Sequence, residues 1–145
     1  MSQTHVPTRP SGMKRAIALL VAVLAAGNGL AMLAAGPWWY GAVPGVTETG
    51  PFNGHFVKDI GAAYLAAGLG LAWLGLRPLD AAARGAAMAG ALFLVLHAGI
   101  HLAEAIGNPA GVADLTRDFA GVILPAILAA WVAWPSARKL ETSHA

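Results

Sequence analysis

The sequence predicts an all-α membrane protein: a four-transmembrane-helix, antiparallel up-down bundle with both termini cytoplasmic. Three observations predict it. Of 145 residues, 57% are hydrophobic and only 11% are charged, with mean hydropathy +0.62, whereas a soluble domain carries about 25% charged residues. Four apolar runs each approach or reach the roughly 20 residues that cross a bilayer core. Short links join these runs, which makes successive helices antiparallel neighbours. The length suits one such bundle, so residues 1–145 read as a single domain with flexible tails at 1–15 and 135–145.

The first span, about 16–36, follows Lys14 and Arg15. Its basic start and small-residue end resemble a signal peptide. The run is long for one, however, and Pro37 directly follows the only suitable small-residue cleavage site, so it reads as a retained span. Pro37, Trp38, Trp39 and Tyr40 then form an aromatic belt where the chain leaves the membrane, and Trp131 and Trp134 mark the opposite interface. The Gly- and Pro-rich stretch 44–53 reads as a shaped turn, either a lid or a plain connector. Asn53 is the expected N-cap of the second span, about 55–76. The third span is about 85–106 and the fourth about 117–134, where Pro125 is expected to kink the helix and free the Gly121 carbonyl. Gly61, Gly68 and Gly75 recur every seven residues, and Ala25 with Gly29 makes a small-xxx-small pair. These stripes predict close packing within the bundle rather than a dedicated dimer motif.

Charge sets the expected direction. Arg9, Lys14 and Arg15 precede the first span, Arg77 and Arg84 flank the second link, and Arg138 and Lys139 follow the last span. The other face holds only Lys58 and Arg117, so the positive-inside rule puts both termini in the cytoplasm. The same rule accounts for a sequence pI near 9.4, and nothing points to nucleic acid. The expected partner is the lipid bilayer, and a homo-oligomer is compatible with the sequence. The absence of cysteine excludes disulfides, thiolate metal sites and thiol catalysis. All the serines (Ser2, Ser11, Ser136 and Ser143) lie in the predicted tails, which excludes a serine nucleophile within the spans.

The candidate functional residues gather at the non-basic end. His55 and Asp59 open the second span, His97, His101 and Glu104 end the third, Asp118 opens the fourth, and Asn28 in the first matches the depth of His97. At about 100° per residue, His97, His101 and Glu104 share one helix stripe. Ionisable side chains within spans are costly and normally partnered. Four carboxylates (Asp59, Glu104, Asp114 and Asp118) face two cations (Lys58 and Arg117) at this end, a deficit that a divalent cation or two protons would balance.

Three readings fit the cluster. In the leading one, His55, Asp59, His97, His101 and Glu104 bind a metal, with Asn28 and Asp118 supporting them. Imidazole and carboxylate without sulfur suit Zn, Fe, Mn or Cu(II), and an open coordination position would allow a metal-dependent membrane enzyme acting on an apolar substrate. In the second, His97 and His55 are axial ligands of a haem held between helices. In the third, the cluster is a helix-pinning network for structure or assembly, with Lys58 paired to Asp118 and Arg117 to Glu104. A proton relay across the membrane is disfavoured, because no ionisable residue occupies the inner half of any span.

The stretch PGVTETGPFNGHFVKDIGAAYL, residues 44–65, resembles the signature of a group of small, uncharacterised bacterial four-helix integral membrane proteins. LHAGIHLAE, residues 96–104, resembles their third-helix motif. The resemblance implies a DoxX-like size and layout and a multi-pass protein of the bacterial inner (plasma) membrane. It implies no catalytic role for any residue.

Overall fold

The computed structural model describes residues 11–135. Among them, four helical stretches are long and apolar enough to cross a bilayer. They are α1 (Gly12–Ala42), α2 (Gly54–Leu76), α3 (Ala81–Ile106) and a fourth, Gly111–Ala133. The fourth divides into α4 (Gly111–Asp118), a π-helical turn (Phe119–Ile123) and α5 (Leu124–Ala133). Most of the two expected flexible tails, residues 1–10 and 136–145, lies outside the described residues.

Capping side chains set where the helices begin. Ser11 Oγ accepts from the Lys14 N–H at 3.3 Å, so α1 starts at Gly12 rather than near residue 16. Asn53 Oδ1 accepts from the N–H groups of His55 and Phe56, both at 3.1 Å, which is the expected cap of α2. Asp80 caps α3 through the N–H groups of Ala82 and Ala83, moving its start to Ala81.

Two prolines are absorbed by local changes of backbone geometry. The aromatic belt does not leave the helix, because α1 bends at Ala35 (φ −139°, ψ 42°) and continues through Pro37 to Ala42. The bend places Pro37 in the first turn of the resumed helix, where a missing N–H costs little. Pro125 likewise stands at the start of α5. Ahead of it the Leu124 N–H reaches the Phe119 carbonyl, widening the helix into the π turn.

The helices pack antiparallel, as steric contacts along them demonstrate. Gly29 lies against Gly61 and Leu65, Gly68 against Ala22 and Ala26, and Gly75 against Leu19, so α2 ascends as α1 descends. Gly70 faces Ala86 while Gly90 faces Ala67, which pairs α3 with α2 in the same sense. The heptad-spaced glycines thus serve contact within the chain, as expected. A Cβ on Gly68 would stand 2.6 Å from the Ala26 backbone nitrogen, and one on Gly90 would stand 2.8 Å from the Ala67 Cα.

The interior is built largely of small side chains: Ala83, Ala87, Ala91 and Ala129 are fully buried, with Leu71, Val21 and Met32 the largest of the fully buried ones. Large apolar residues such as Leu24, Leu69, Leu96 and Ile127 face outward. Small residues between helices and leucines outside are the arrangement expected where the solvent is lipid.

At one end of the bundle, basic side chains close helix C-termini. Arg15 Nε donates to the Gly75 carbonyl at 3.1 Å, an Arg84 terminal nitrogen to Ala133 O at 3.2 Å, and Lys14 Nζ to Trp131 O at 3.4 Å. Each satisfies a carbonyl left over at a helix end and complements its partial negative charge.

Substituting Gly68→Ala forces a backbone shift at the α1–α2 contact and is expected to cost about 1–3 kcal/mol. Gly27 has nothing within 4 Å of a built Cβ, so Gly27→Ala should stay within about 1 kcal/mol of the parent. Unfolding in mild detergent checks both, and equal midpoints for the two variants would contradict this packing.

Candidate functional site

The candidate residues lie at the opposite end, where α2 and α4 begin and α3 ends. A short turn links α3 to α4: the Gly107 N–H returns to the Glu104 carbonyl at 3.2 Å, and the Gly111 N–H to Asn108 O at 2.9 Å. Gly111 is pressed against the Ala105 backbone with no room for a side chain. This tight reversal lays α4 along the last turns of α3 and brings Asp118 beside His101.

Asp118 is the junction of the network. Its Oδ2 lies 2.7 Å from His101 Nδ1, and its Oδ1 accepts from Arg117 Nε at 2.9 Å. The carboxylate is only 10% exposed and the His101 side chain 26% exposed. An ionised carboxylate only accepts, so the proton in the His101 bond resides on Nδ1, and Nε2 is the nitrogen left outside that bond.

Arg117 spreads the network further. One terminal nitrogen reaches Asp114 Oδ1 at 3.1 Å and Glu48 Oε2 at 3.2 Å. Asn108 Nδ2 donates to Asp114 Oδ2 at 2.7 Å, which ties in the α3–α4 turn. Glu48 comes from a 3-10 turn, Val46–Thr49, in the loop after α1. Gly45 precedes that turn with φ +83°, a left-handed conformation that glycine adopts at no steric cost. A Cβ there would also lie 2.6 Å from Arg117 Cζ, so this glycine lets the guanidinium rest on the loop. The loop is further held by the Tyr40 hydroxyl, which donates to Gly50 O, and by an edge-to-face contact of Tyr40 with Phe52.

His97 sits one turn deeper than His101 and has a different environment. Its ring is edge-on to Tyr64 (centroids 5.5 Å) and to His101 (4.9 Å), and stacks on Phe93 at 6.0 Å. The helix-stripe reading of His97 and His101 is therefore realised. Glu104, the third member of that stripe, is exposed.

Other expected members stand apart. His55 Nε2 is 3.4 Å from Asp59 Oδ2, but the two side chains are 89% and 61% exposed. Nine residues separate His55 from Tyr64, about 14 Å of helix rise, and it is on Tyr64 that His97 packs. His55 and His97 thus stand at different depths, which does not suit axial ligation of one haem iron. Asn28 does share the level of His97, since its neighbour Gly29 faces Gly61 and Leu65. Its amide is nevertheless engaged within α1, accepting from Trp39 Nε1 at 2.8 Å and approaching Met32 Sδ. Among the described residues, no group of three or more His, Asp or Glu side chains is placed to hold a metal ion. The expected set of His55, Asp59, His97, His101 and Glu104 does not converge, because His55, Asp59 and Glu104 stand exposed while His97 and His101 are partly buried.

The expected ion pairs also change partners. Lys58 and Glu104 make no ion pair among the described residues, and Arg117 takes its own neighbour Asp118 together with Asp114 and Glu48. Sequence reading missed Glu48, a loop residue 69 positions from Arg117, for which no local spacing offers a signal. The Asp114–Arg117 pair at i, i+3 was open to the helix rule.

No protein-family model matches the chain, and no curated protein or solved structure is significantly similar to it. The site is therefore read from its own geometry.

Asp118→Asn removes the charge shared by His101 and Arg117 while keeping the shape. The His101 contact alone is expected to account for a loss of about 1–3 kcal/mol. Glu48→Gln, at a carboxylate that is 72% exposed, should lower the unfolding midpoint by clearly less. The reverse ranking in detergent unfolding would show that Asp118 is not the junction.

Proposed function

We propose that this chain is a multi-pass integral membrane protein of a plasma membrane, with Lys14, Arg15, Arg77 and Arg84 at the cytoplasmic face. Its carboxylate-rich outer end works as a clamp that fixes α4 and the first loop to the end of α3. The observation that carries this reading is the Asp118 carboxylate, which bridges His101 of α3 and Arg117 of α4 at 2.7 and 2.9 Å. Arg117 in turn holds the loop through Glu48.

A network of this kind suits a scaffold better than a coordination centre of five side chains. Each of its carboxylates is matched to a donor inside the chain, and no buried side-chain nitrogen or oxygen among the described residues lacks a partner. The clamp also has a mechanical rationale. The π turn after α4 interrupts the regular hydrogen-bond ladder, so α4 needs an anchor of its own, and the polar bonds supply it.

Because the chain has no cysteine, single-cysteine labelling tests orientation and clamp together. A membrane-impermeant maleimide should label Thr47→Cys in intact cells and Leu79→Cys only after permeabilisation. Leu115→Cys on α4 should label faster when Asp118→Asn is added. Reversed sidedness would overturn the orientation, and an unchanged rate at position 115 would overturn the clamp.

A further inference from the structure

The clamp leaves one polar group unused. His97 lies in an apolar wall, partly buried, and makes no hydrogen bond among the described residues; its neighbours are the rings of Tyr64, Phe93 and His101. An imidazole at this depth of a span, with no partner from the protein, is costly. Beside it stands His101, whose Nδ1 is bound to Asp118, which leaves Nε2 as the nitrogen available to a ligand. A carboxylate behind one imidazole nitrogen is the usual way a metal-binding histidine is oriented and made more basic.

We propose that His97 and His101 form a two-imidazole chelate for a divalent cation of the Zn2+ or Cu2+ type, with Asp118 as the positioning residue behind His101. Two nitrogens on one tetrahedral ion, each at about 2.0–2.1 Å, bring their ring centres to about 5 Å apart. The two rings are 4.9 Å apart with their planes inclined at 65°. Their i, i+4 spacing on α3 holds both on the same face. Two imidazole nitrogens as the protein ligands, with Asp118 behind His101 rather than on the ion, favour Zn2+ and Cu2+ over Mg2+, Ca2+ or Mn2+. The chain supplies two ligands, so water or an external ligand completes the coordination. His101 is five residues from the end of α3, about 8 Å of rise, and its partial exposure gives the ion a route from the carboxylate-rich end.

This inference rests on the clamp only through the His101–Asp118 bond, and the two fail separately. If Asp118→Asn loosens α4 in chelator but Zn2+ does not bind, the clamp stands and the metal site is lost.

The test uses the full chain, purified without a histidine tag and reconstituted in bilayer nanodiscs. His5→Ala and His144→Ala remove the histidines outside the described residues. After stripping with chelator, Zn2+ is titrated calorimetrically, and Cu2+ is examined by electron paramagnetic resonance. The expected result is one saturable Zn2+ site and hyperfine coupling from two imidazole nitrogens on Cu2+. Asp118→Asn should weaken Zn2+ by about 10–100-fold. His97→Ala, which removes no polar bond of the clamp, should abolish the site, with cooperative unfolding in chelator showing that the chain still folds. His55→Ala should leave binding unchanged. Absence of saturable binding, binding that survives His97→Ala, or binding lost with His55→Ala would each overturn the proposal.

Discussion

A polar side chain inside an apolar layer needs a partner, and in a chain of this composition the partner has to come from the protein itself. That constraint organises both ends of the bundle. At the basic end, Arg15, Arg84 and Lys14 spend their donors on the carbonyls that terminate α2 and α5. At the other, Asp118 is shielded by His101 and Arg117, and Arg117 extends the pairing to Asp114 and Glu48. The two ends differ in chemistry but solve the same problem: orphan backbone carbonyls in one case, carboxylates in the other.

Between those ends, cohesion comes from closeness rather than from bulk. Gly61, Gly68 and Gly75 bring α2 onto α1, and Gly70 and Gly90 bring α3 onto α2, at separations that a single added methyl would violate. Dispersion between closely approaching backbones replaces the hydrophobic force that lipid does not provide. Three helices are therefore held by sterically specific faces. In the last helix α5 buries Ala126, Ala129 and Ala133 in the same way, but the π turn separates it from α4. There the polar network substitutes for a continuous helix, and the same network orients His101 toward His97. Structural anchoring and the proposed two-imidazole site thus depend on one carboxylate.

Much of the architecture could be read from residue order because hydropathy, charge and helix period are local properties. The four spans, the Asn53 cap, the glycine contacts of α2 and the His97–His101 pairing all follow from spacing along a single helix. What escaped reading depended on partners distant in sequence or on geometry that compensates a local defect. The Glu48–Arg117 bond joins a loop to the fourth helix, and Trp39 reaches Asn28 across the bend at Ala35. Proline at positions 37 and 125 signals a break. It does not say whether the chain will leave the helix, as expected for the aromatic belt, or bend and resume it, as it does. Depth matching placed His55, Asp59 and Glu104 near the histidine pair, but a shared end of the bundle does not bring side chains together when they stand exposed.

The central claim is that Asp118 and His101 act as one interaction holding α3 to the start of the last helix. A double-mutant cycle with Asp118→Asn and His101→Gln, read by unfolding in bilayer or mild detergent with chelator present, isolates that pairwise energy from packing changes at either position. The account predicts a favourable coupling of about 0.6 kcal/mol or more, the average for polar pairs within membrane helices, with about 1.7 kcal/mol as the upper end. Strictly additive effects of the two substitutions would contradict it.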